Sequence, residues 1–111
     1  MNKKTFLLLI SVAISGCNKS SEGQPPPQLW SDHKQLTTSV NACAEKASSV
    51  LSSLGFSSVV RNGNFSYGNL RDNRAAVKCI ENQGGSFVYF AVAGSDKESV
   101  EKLRNEIAWK F

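Results

Sequence analysis

The sequence predicts a small α+β domain in which an antiparallel four-stranded meander carries two helices on one face, in the order α-β-β-β-β-α. Two observations predict this fold. Apolar residues recur at steps of three and four near both ends of residues 29–111, which indicates two amphipathic helices. Between these segments the period changes to two and turn residues separate the runs, which is typical of strands joined by short loops.

Residues 32–54 are predicted to form the first helix. Asp32 and Gln35 make a capping-box pattern at its start, and Gly55 stands where a left-handed residue often ends a helix. Trp30 is expected to pack against the start of this helix. The residues expected on its buried stripe are Leu36, Val40, Cys43, Ala44, Ala47, Leu51 and Leu54.

Four strands are predicted to follow, over residues 56–60, 64–68, 74–81 and 86–93. Asn62-Gly63 indicates a two-residue hairpin turn, whereas residues 69–73 are interpreted as a polar loop. In the third strand, alternation places Ala75, Val77 and Cys79 on one face and Ala76, Lys78 and Ile80 on the other. The fourth strand is apolar on both faces, which is typical of a central or fully covered strand.

A helix is predicted to close the domain. Ser95 and Glu98 make a second capping-box pattern before it. Its buried stripe is expected to contain Val100, Leu103, Ile107 and Phe111. Trp109 falls outside this stripe, so its side chain is expected to be partly exposed.

The first 17 residues have the layout of a secretory signal. A basic start with Lys3 and Lys4 precedes an apolar run over residues 6–14, and the small residues Ser15 and Gly16 follow. The apolar run is shorter than the roughly 20 residues that span a bilayer. Residues 1–16 are therefore interpreted as a signal peptide that is removed.

The order Ile14-Ser15-Gly16-Cys17 resembles the lipobox of bacterial lipoproteins. This resemblance implies that the Cys17 thiol carries a diacylglycerol, that cleavage falls before Cys17 and that the new amine is acylated. The alternative is an ordinary signal peptide followed by an unmodified thiol. Because Asn18 replaces the Asp that favours inner-membrane retention, the resemblance implies an envelope protein anchored in the outer membrane and facing the periplasm. Residues 17–28 would then be the lipidated Cys and a flexible linker, and residues 29–111 the domain.

With Cys17 assigned to lipid, Cys43 and Cys79 remain as an even pair in an exported and oxidising setting. They are interpreted as a disulfide between the first helix and the third strand, because both lie on faces assigned to the interior. Two free buried thiols and half of a metal site are the alternatives. His33 has no partner motif, and no cofactor is expected.

The net charge is modest. The whole chain carries 13 basic and 9 acidic residues, a formal charge of +4. Removal of residues 1–16 takes away Lys3 and Lys4, which leaves a charge of about +2. This excess does not by itself indicate a polyanionic partner.

A basic-aromatic cluster is the candidate binding surface, on the face of the sheet that the helices leave free. Its members are Arg61, Phe65, Tyr67, Arg71, Arg74 and Lys78. Such a surface suits docking of a protein, a glycan or an anionic polymer, because rings stack on flat partners while cations meet carboxylates or phosphates. The alternative is an ordinary solvated face with cross-strand pairs. No RNP-type motif is present, so no nucleic-acid partner is expected.

No catalytic signature is found. There is no G-x-S-x-G motif, and nothing in the spacing brings Asp72 and Glu81 together as an acid pair. The sequence therefore predicts a non-enzymatic envelope lipoprotein that binds another envelope macromolecule. The alternative is an inhibitor or immunity-type lipoprotein that blocks a hydrolase or toxin, with the loop over residues 69–73 as its wedge.

The domain is also similar to small exported bacterial domains of unassigned role. The shared features are a helix with an inward cysteine, the turn Leu54-Gly55-Phe56, a strand with the V-x-C pattern at Val77 and Cys79, and the sequence Val92-Ala93-Gly94 at the end of the last strand. This resemblance spans residues 36–107 and implies a fold but no activity.

Overall fold

The computed structural model describes residues 25–111, which form one small α+β domain. Two helices and five strands follow one another in the order β-α-β-β-β-β-α. Their bounds are β1 Gln28–Leu36, α1 Val40–Ser53, β2 Ser57–Asn62, β3 Phe65–Leu70, β4 Asn73–Asn82, β5 Gly85–Gly94 and α2 Lys97–Lys110.

The five strands form one antiparallel sheet in the spatial order β1-β5-β4-β3-β2. The last four strands make the predicted meander, with β5 in a central position. Both helices pack on the same face: α1 contacts β2 to β5, and α2 contacts β5 and β1. The prediction of two helices on one face of an antiparallel sheet is therefore confirmed.

The prediction of a helix over residues 32–54 is wrong in its first third, because residues 28–36 form the additional strand β1. This strand lies at the sheet edge, paired along its whole length with β5. Its inward positions include the polar residues Asp32 and Lys34, which hide the alternation that predicts a strand. Helix α2 provides a partner for one of them: the Lys34 ammonium donates a hydrogen bond of 2.6 Å to the Ala108 carbonyl.

Helix α1 begins at Val40 with Ser39 as its N-cap, and the predicted cap at Asp32 is wrong. The Ser39 side chain accepts a hydrogen bond of 3.1 Å from the Ala42 backbone N–H, as an N-cap should. At the other end, Gly55 has a φ of +98°, so the predicted left-handed residue after the helix is confirmed.

The difference between the two candidate caps is directly testable. We expect Ser39→Ala to lower the free energy of unfolding by about 1 kcal/mol, because an N-terminal amide of α1 loses its acceptor. Asp32→Ala should change it by less than about 0.5 kcal/mol, since the Asp32 carboxylate accepts only an exposed bond from the His33 N–H. Urea denaturation of both variants measures this contrast. The reverse ranking would place the helix start at Asp32.

Two turns and one cap also differ from the predictions. The central residues of the first hairpin are Gly63 and Asn64, one position later than predicted, and Gly63 takes a φ of +65°. The predicted loop over residues 69–73 is only the two-residue turn Arg71-Asp72, because its outer residues belong to β3 and β4. Asp96, not Ser95, caps α2 by accepting a hydrogen bond of 3.0 Å from the Ser99 N–H.

The core lies between the sheet and the two helices. The Cys43–Cys79 disulfide is present, and it joins α1 to β4 inside this core. Both cysteines are almost fully buried. Because they are bonded to each other, the alternatives of free thiols and a partial metal site are excluded for them. The other buried members of the core are Ala47, Val50, Leu51, Phe56, Ala75, Val77, Val88, Phe90, Val92, Val100, Leu103 and Ile107.

The predictions for residues 1–24, including lipidation of Cys17 and most of the linker, lie outside the described residues. Pro25, Pro26 and Pro27 are exposed and lead directly into β1, so Gln28 belongs to the sheet and not to the linker. Within residues 25–111, neither helix has the length and apolar character needed to cross a membrane.

Candidate binding face

One face of the sheet is not covered by either helix. We call it the open face, and it consists of the side chains of β1 to β5 that point away from α1 and α2. Five large apolar side chains lie on it with 38–69% of their surface exposed. These are Leu29, Val60, Phe65, Ile80 and Tyr89.

A row of four side chains crosses the middle of the open face. The strand register pairs Phe65 with Lys78, Lys78 with Tyr89 and Tyr89 with His33. We call these four residues the central row. Because neighbouring strands are about 4.8 Å apart, the Phe65 and Tyr89 side chains lie about 10 Å apart with Lys78 between them.

Further aromatic groups extend the central row on both sides. The Phe65 and Tyr67 rings have centroids 5.5 Å apart. On the other side, His33 stacks on Phe87 with a centroid distance of 5.3 Å. The result is an aromatic surface that spans β3, β5 and β1, with Lys78 as the cation in its centre.

Polar groups at the edges of the open face are held by hydrogen bonds. The Arg74 guanidinium donates from Nε to Asn69 Oδ1 at 2.9 Å, which fixes the direction of its side chain. At the opposite end, the amide of Asn82 donates to Gln35 Oε1 at 2.8 Å, and Gln35 Nε2 donates to Asn82 Oδ1 at 3.2 Å. Fixed amides and guanidiniums lose little side-chain entropy when they bind a polar ligand.

The charge on the open face has one sign. Arg74 and Lys78 provide two cations, while no Asp or Glu of residues 25–111 projects from this face. The strand acids Asp32 and Glu81 pair with the buried side of β5, opposite Phe90 and Ser86, and the others lie in helices or turns. The open face is therefore cationic, with the same sign as the formal net charge of +4 of the whole chain.

The structure brings together four of the six residues predicted for the basic-aromatic cluster. Phe65, Tyr67, Arg74 and Lys78 share the open face. Arg61 does not lie there, because its register partner Ser66 is buried on the helix side, and the Arg61 guanidinium donates to Asn41 of α1 at 3.4 Å.

Arg71 is also absent from the open face. It occupies the tight turn after β3 with a φ of +56°, and its side chain lines a groove on the helix side with Leu54 and Lys102. The shortness of this turn also leaves the predicted wedge of an inhibitor without a projecting loop.

Sequence reasoning missed the half of the open face that β1 and β5 provide. The sequence predicts Leu29 at the start of the domain and His33 at the start of a helix. It therefore does not predict that both side chains lie on the same face of one strand. Phe87 and Tyr89 belong to a strand predicted to be central or fully covered; it lies between β1 and β4, but the face that carries Phe87 and Tyr89 is not covered. The alternation of Phe87, Tyr89 and Ala91 was the available signal, because it lies opposite the core residues of the same strand.

The two tryptophans have different environments. Trp30 packs against the core beneath α2, with the Lys97 ammonium 5.7 Å and the Arg104 guanidinium 5.3 Å from its ring centroid. It therefore packs against the last helix and not the first. Trp109 is 88% exposed, as predicted from its position outside the buried stripe.

The two acidic residues Asp72 and Glu81 lie far apart in the structure. The Ser95 hydroxyl donates a hydrogen bond of 2.7 Å to Asp72 and thereby lowers the pKa of that exposed carboxyl below its usual value. Glu81 lies near the opposite end of β4, about 30 Å away along an extended strand. Across residues 25–111, no three His, Cys, Asp or Glu side chains are grouped so that they could hold a metal ion.

No protein-family model, no curated protein and no solved structure matches this chain.

Proposed function

We propose that this protein is a lipid-anchored lipoprotein of the bacterial cell envelope that binds another envelope macromolecule through the open face, without catalysing a reaction. One observation carries the proposal: the helices cover one face of the sheet, while the other presents exposed aromatic rings around a central cation.

The energetics favour a binding role for this surface. Leu29, Val60, Phe65, Ile80 and Tyr89 keep much of their apolar surface in water. Burial of apolar surface contributes roughly 25 cal/mol per Å². A contiguous exposed apolar patch with polar groups at its rim is typical of an interaction site. The side chains needed for binding are held on strands and not on mobile loops, which lowers the entropic cost of association.

The proposed anchor rests on the lipobox resemblance at Cys17. More than one acyl chain gives durable membrane attachment. From Cys17 to Gln28 the extended chain would reach roughly 35 Å at about 3.3 Å per residue. A tether of this reach would let the open face meet partners away from the lipid surface. Asn18 supports the outer membrane, facing the periplasm, as the site of anchoring.

Photo-crosslinking in living bacteria tests the proposed surface. The full-length chain would carry photoreactive p-benzoyl-phenylalanine in place of Tyr89 on the open face or, as a matched control, in place of Trp109 on α2. We expect illumination to give a discrete higher-mass adduct from position 89 and none from position 109, because both positions are exposed but only the first lies on the open face.

Two further controls make this experiment decisive. Cys17→Ser should move the protein out of the membrane fraction and weaken the adduct, since an unanchored domain loses its high local concentration near the partner. Lys78→Glu should also weaken the adduct without unfolding the protein. Adduct formation from position 109 alone, or none from either position, would contradict the proposal.

A further inference from the structure

The open face has three chemical properties that together restrict its partner. It presents flat aromatic rings, its cations are not balanced by any carboxylate of residues 25–111, and its edges carry amide groups from Gln35, Asn69 and Asn82.

A second copy of this chain is a poor occupant. Packing two open faces against each other would place the Lys78 and Arg74 cations of both molecules in one interface, without acidic partners on either face. Like charges placed together and removed from water are unfavourable by several kcal/mol. Charge complementarity instead points to an anionic partner.

The shape of the surface favours a glycan over an acidic protein. Protein interfaces concentrate their binding energy in side chains inserted into pockets. The central row is instead a line of side chains on a pleated sheet, with rings about 10 Å apart on alternate strands. A sugar ring has an apolar face of C–H groups that can stack on an aromatic ring, and its hydroxyls suit the amides at the edge.

From these observations we infer that the open face binds a carboxylate-bearing glycan. The glycan lies across the strands along the central row, with alternate sugar rings over Tyr89 and Phe65 and the carboxylate of the sugar between them on the Lys78 ammonium. Charge-assisted hydrogen bonds of this kind are stronger than neutral ones. This inference rests on the proposed function, because it names the partner of the same surface.

A binding experiment with defined oligosaccharides tests the inference. The full chain, expressed and purified from membranes in a mild detergent, is titrated with a hyaluronan hexasaccharide and with the same oligosaccharide after chemical reduction of its carboxyl groups. We expect binding of the acidic form and at least about tenfold weaker binding of the reduced form, because the charge-assisted bond to Lys78 is lost. Amide NMR shifts should change at Phe65, Lys78 and Tyr89.

Matched variants locate the binding site. Lys78→Gln and Tyr89→Ala should each weaken the affinity by about tenfold. Lys102→Gln and Trp109→Ala remove the same kinds of side chain from the helix side and should leave it unchanged. Hexaglutamate peptide serves as an anion without sugar rings and should bind much more weakly than the acidic hexasaccharide.

Three outcomes would overturn the inference. These are no binding of the acidic hexasaccharide, equal binding of its reduced form, and equal binding of hexaglutamate. The failure of this inference differs from that of the proposed function. A protein crosslinked from position 89, combined with no glycan binding, would refute the glycan but preserve the binding role of the open face. If neither a crosslinked partner nor glycan binding were found, both the glycan inference and the proposed function would fail.

Discussion

The Cys43→Ala/Cys79→Ala double variant is expected to lose about 4 kcal/mol of the free energy of unfolding. The disulfide closes a loop of 36 residues and thereby limits the conformations of the unfolded chain. Alanine is the suitable replacement, because both positions are nearly fully buried and a serine hydroxyl there would lack a partner. A loss of this size is a large part of the 5–15 kcal/mol that is typical of whole domains.

Urea denaturation of the oxidised protein, the reduced protein and the double variant measures this effect. The reduced protein and the double variant should have similar midpoints, both well below that of the oxidised protein. Dithiothreitol should lower the midpoint of the original sequence and leave that of the double variant unchanged. Equal midpoints for oxidised and reduced protein would show that the disulfide does not determine stability.

The disulfide was also the part of the fold most directly predictable from the sequence. Cys43 lies on a stripe with a period of 3.6 and Cys79 on an alternating strand, so each cysteine could be assigned to an interior face separately. The hairpin strands β2 to β5 were predictable for the same reason. Their alternation is clear and two of their three turns contain glycine, so only boundaries moved by one or two residues.

Strand β1 was not predictable from local pattern. Along Gln28–Leu36, only Trp30 and Leu36 of the inward positions are large and apolar, and they are separated by Asp32 and Lys34. Tertiary contacts stabilise the strand instead. The Arg104 guanidinium of α2 donates a hydrogen bond of 2.9 Å to the Ser31 carbonyl, and Arg104 also packs over the Trp30 ring. Arg104 of α2, 73 residues after Ser31, thus supplies stabilising contacts that the local sequence of β1 does not provide.

One part of the candidate site was predictable from local pattern, and the part that depends on β1 was not. Phe65, Tyr67, Arg74 and Lys78 lie on two consecutive hairpin strands, so alternation and register suffice to bring them together. His33 joins them only because β1 pairs with β5, a contact over 56 residues of sequence between His33 and Tyr89. Pairings of such separation are determined by the whole sheet and not by a local motif.

The sidedness of the sheet, on which the binding proposals depend, predicts a strong asymmetry between two phenylalanines of the same strand. Phe90 is fully buried on the helix side and stacks on Phe111 with a centroid distance of 6.0 Å. Phe90→Ala should lower the free energy of unfolding by about 3–5 kcal/mol, because it leaves a cavity in the core. Phe87 is half-buried on the open face, where its main aromatic contact is His33. Phe87→Ala should lower it by only about 1 kcal/mol.

Thermal and urea unfolding of the two variants measure this difference directly, since the substitution, the strand and the residue type are the same. The control is Phe87→Leu, which keeps an apolar side chain and should retain most of the original stability. Losses of similar size for Phe87→Ala and Phe90→Ala would mean that another part of the protein covers the open face. In that case the aromatic rings would be core residues, and the surface proposed for binding would not be accessible to any partner.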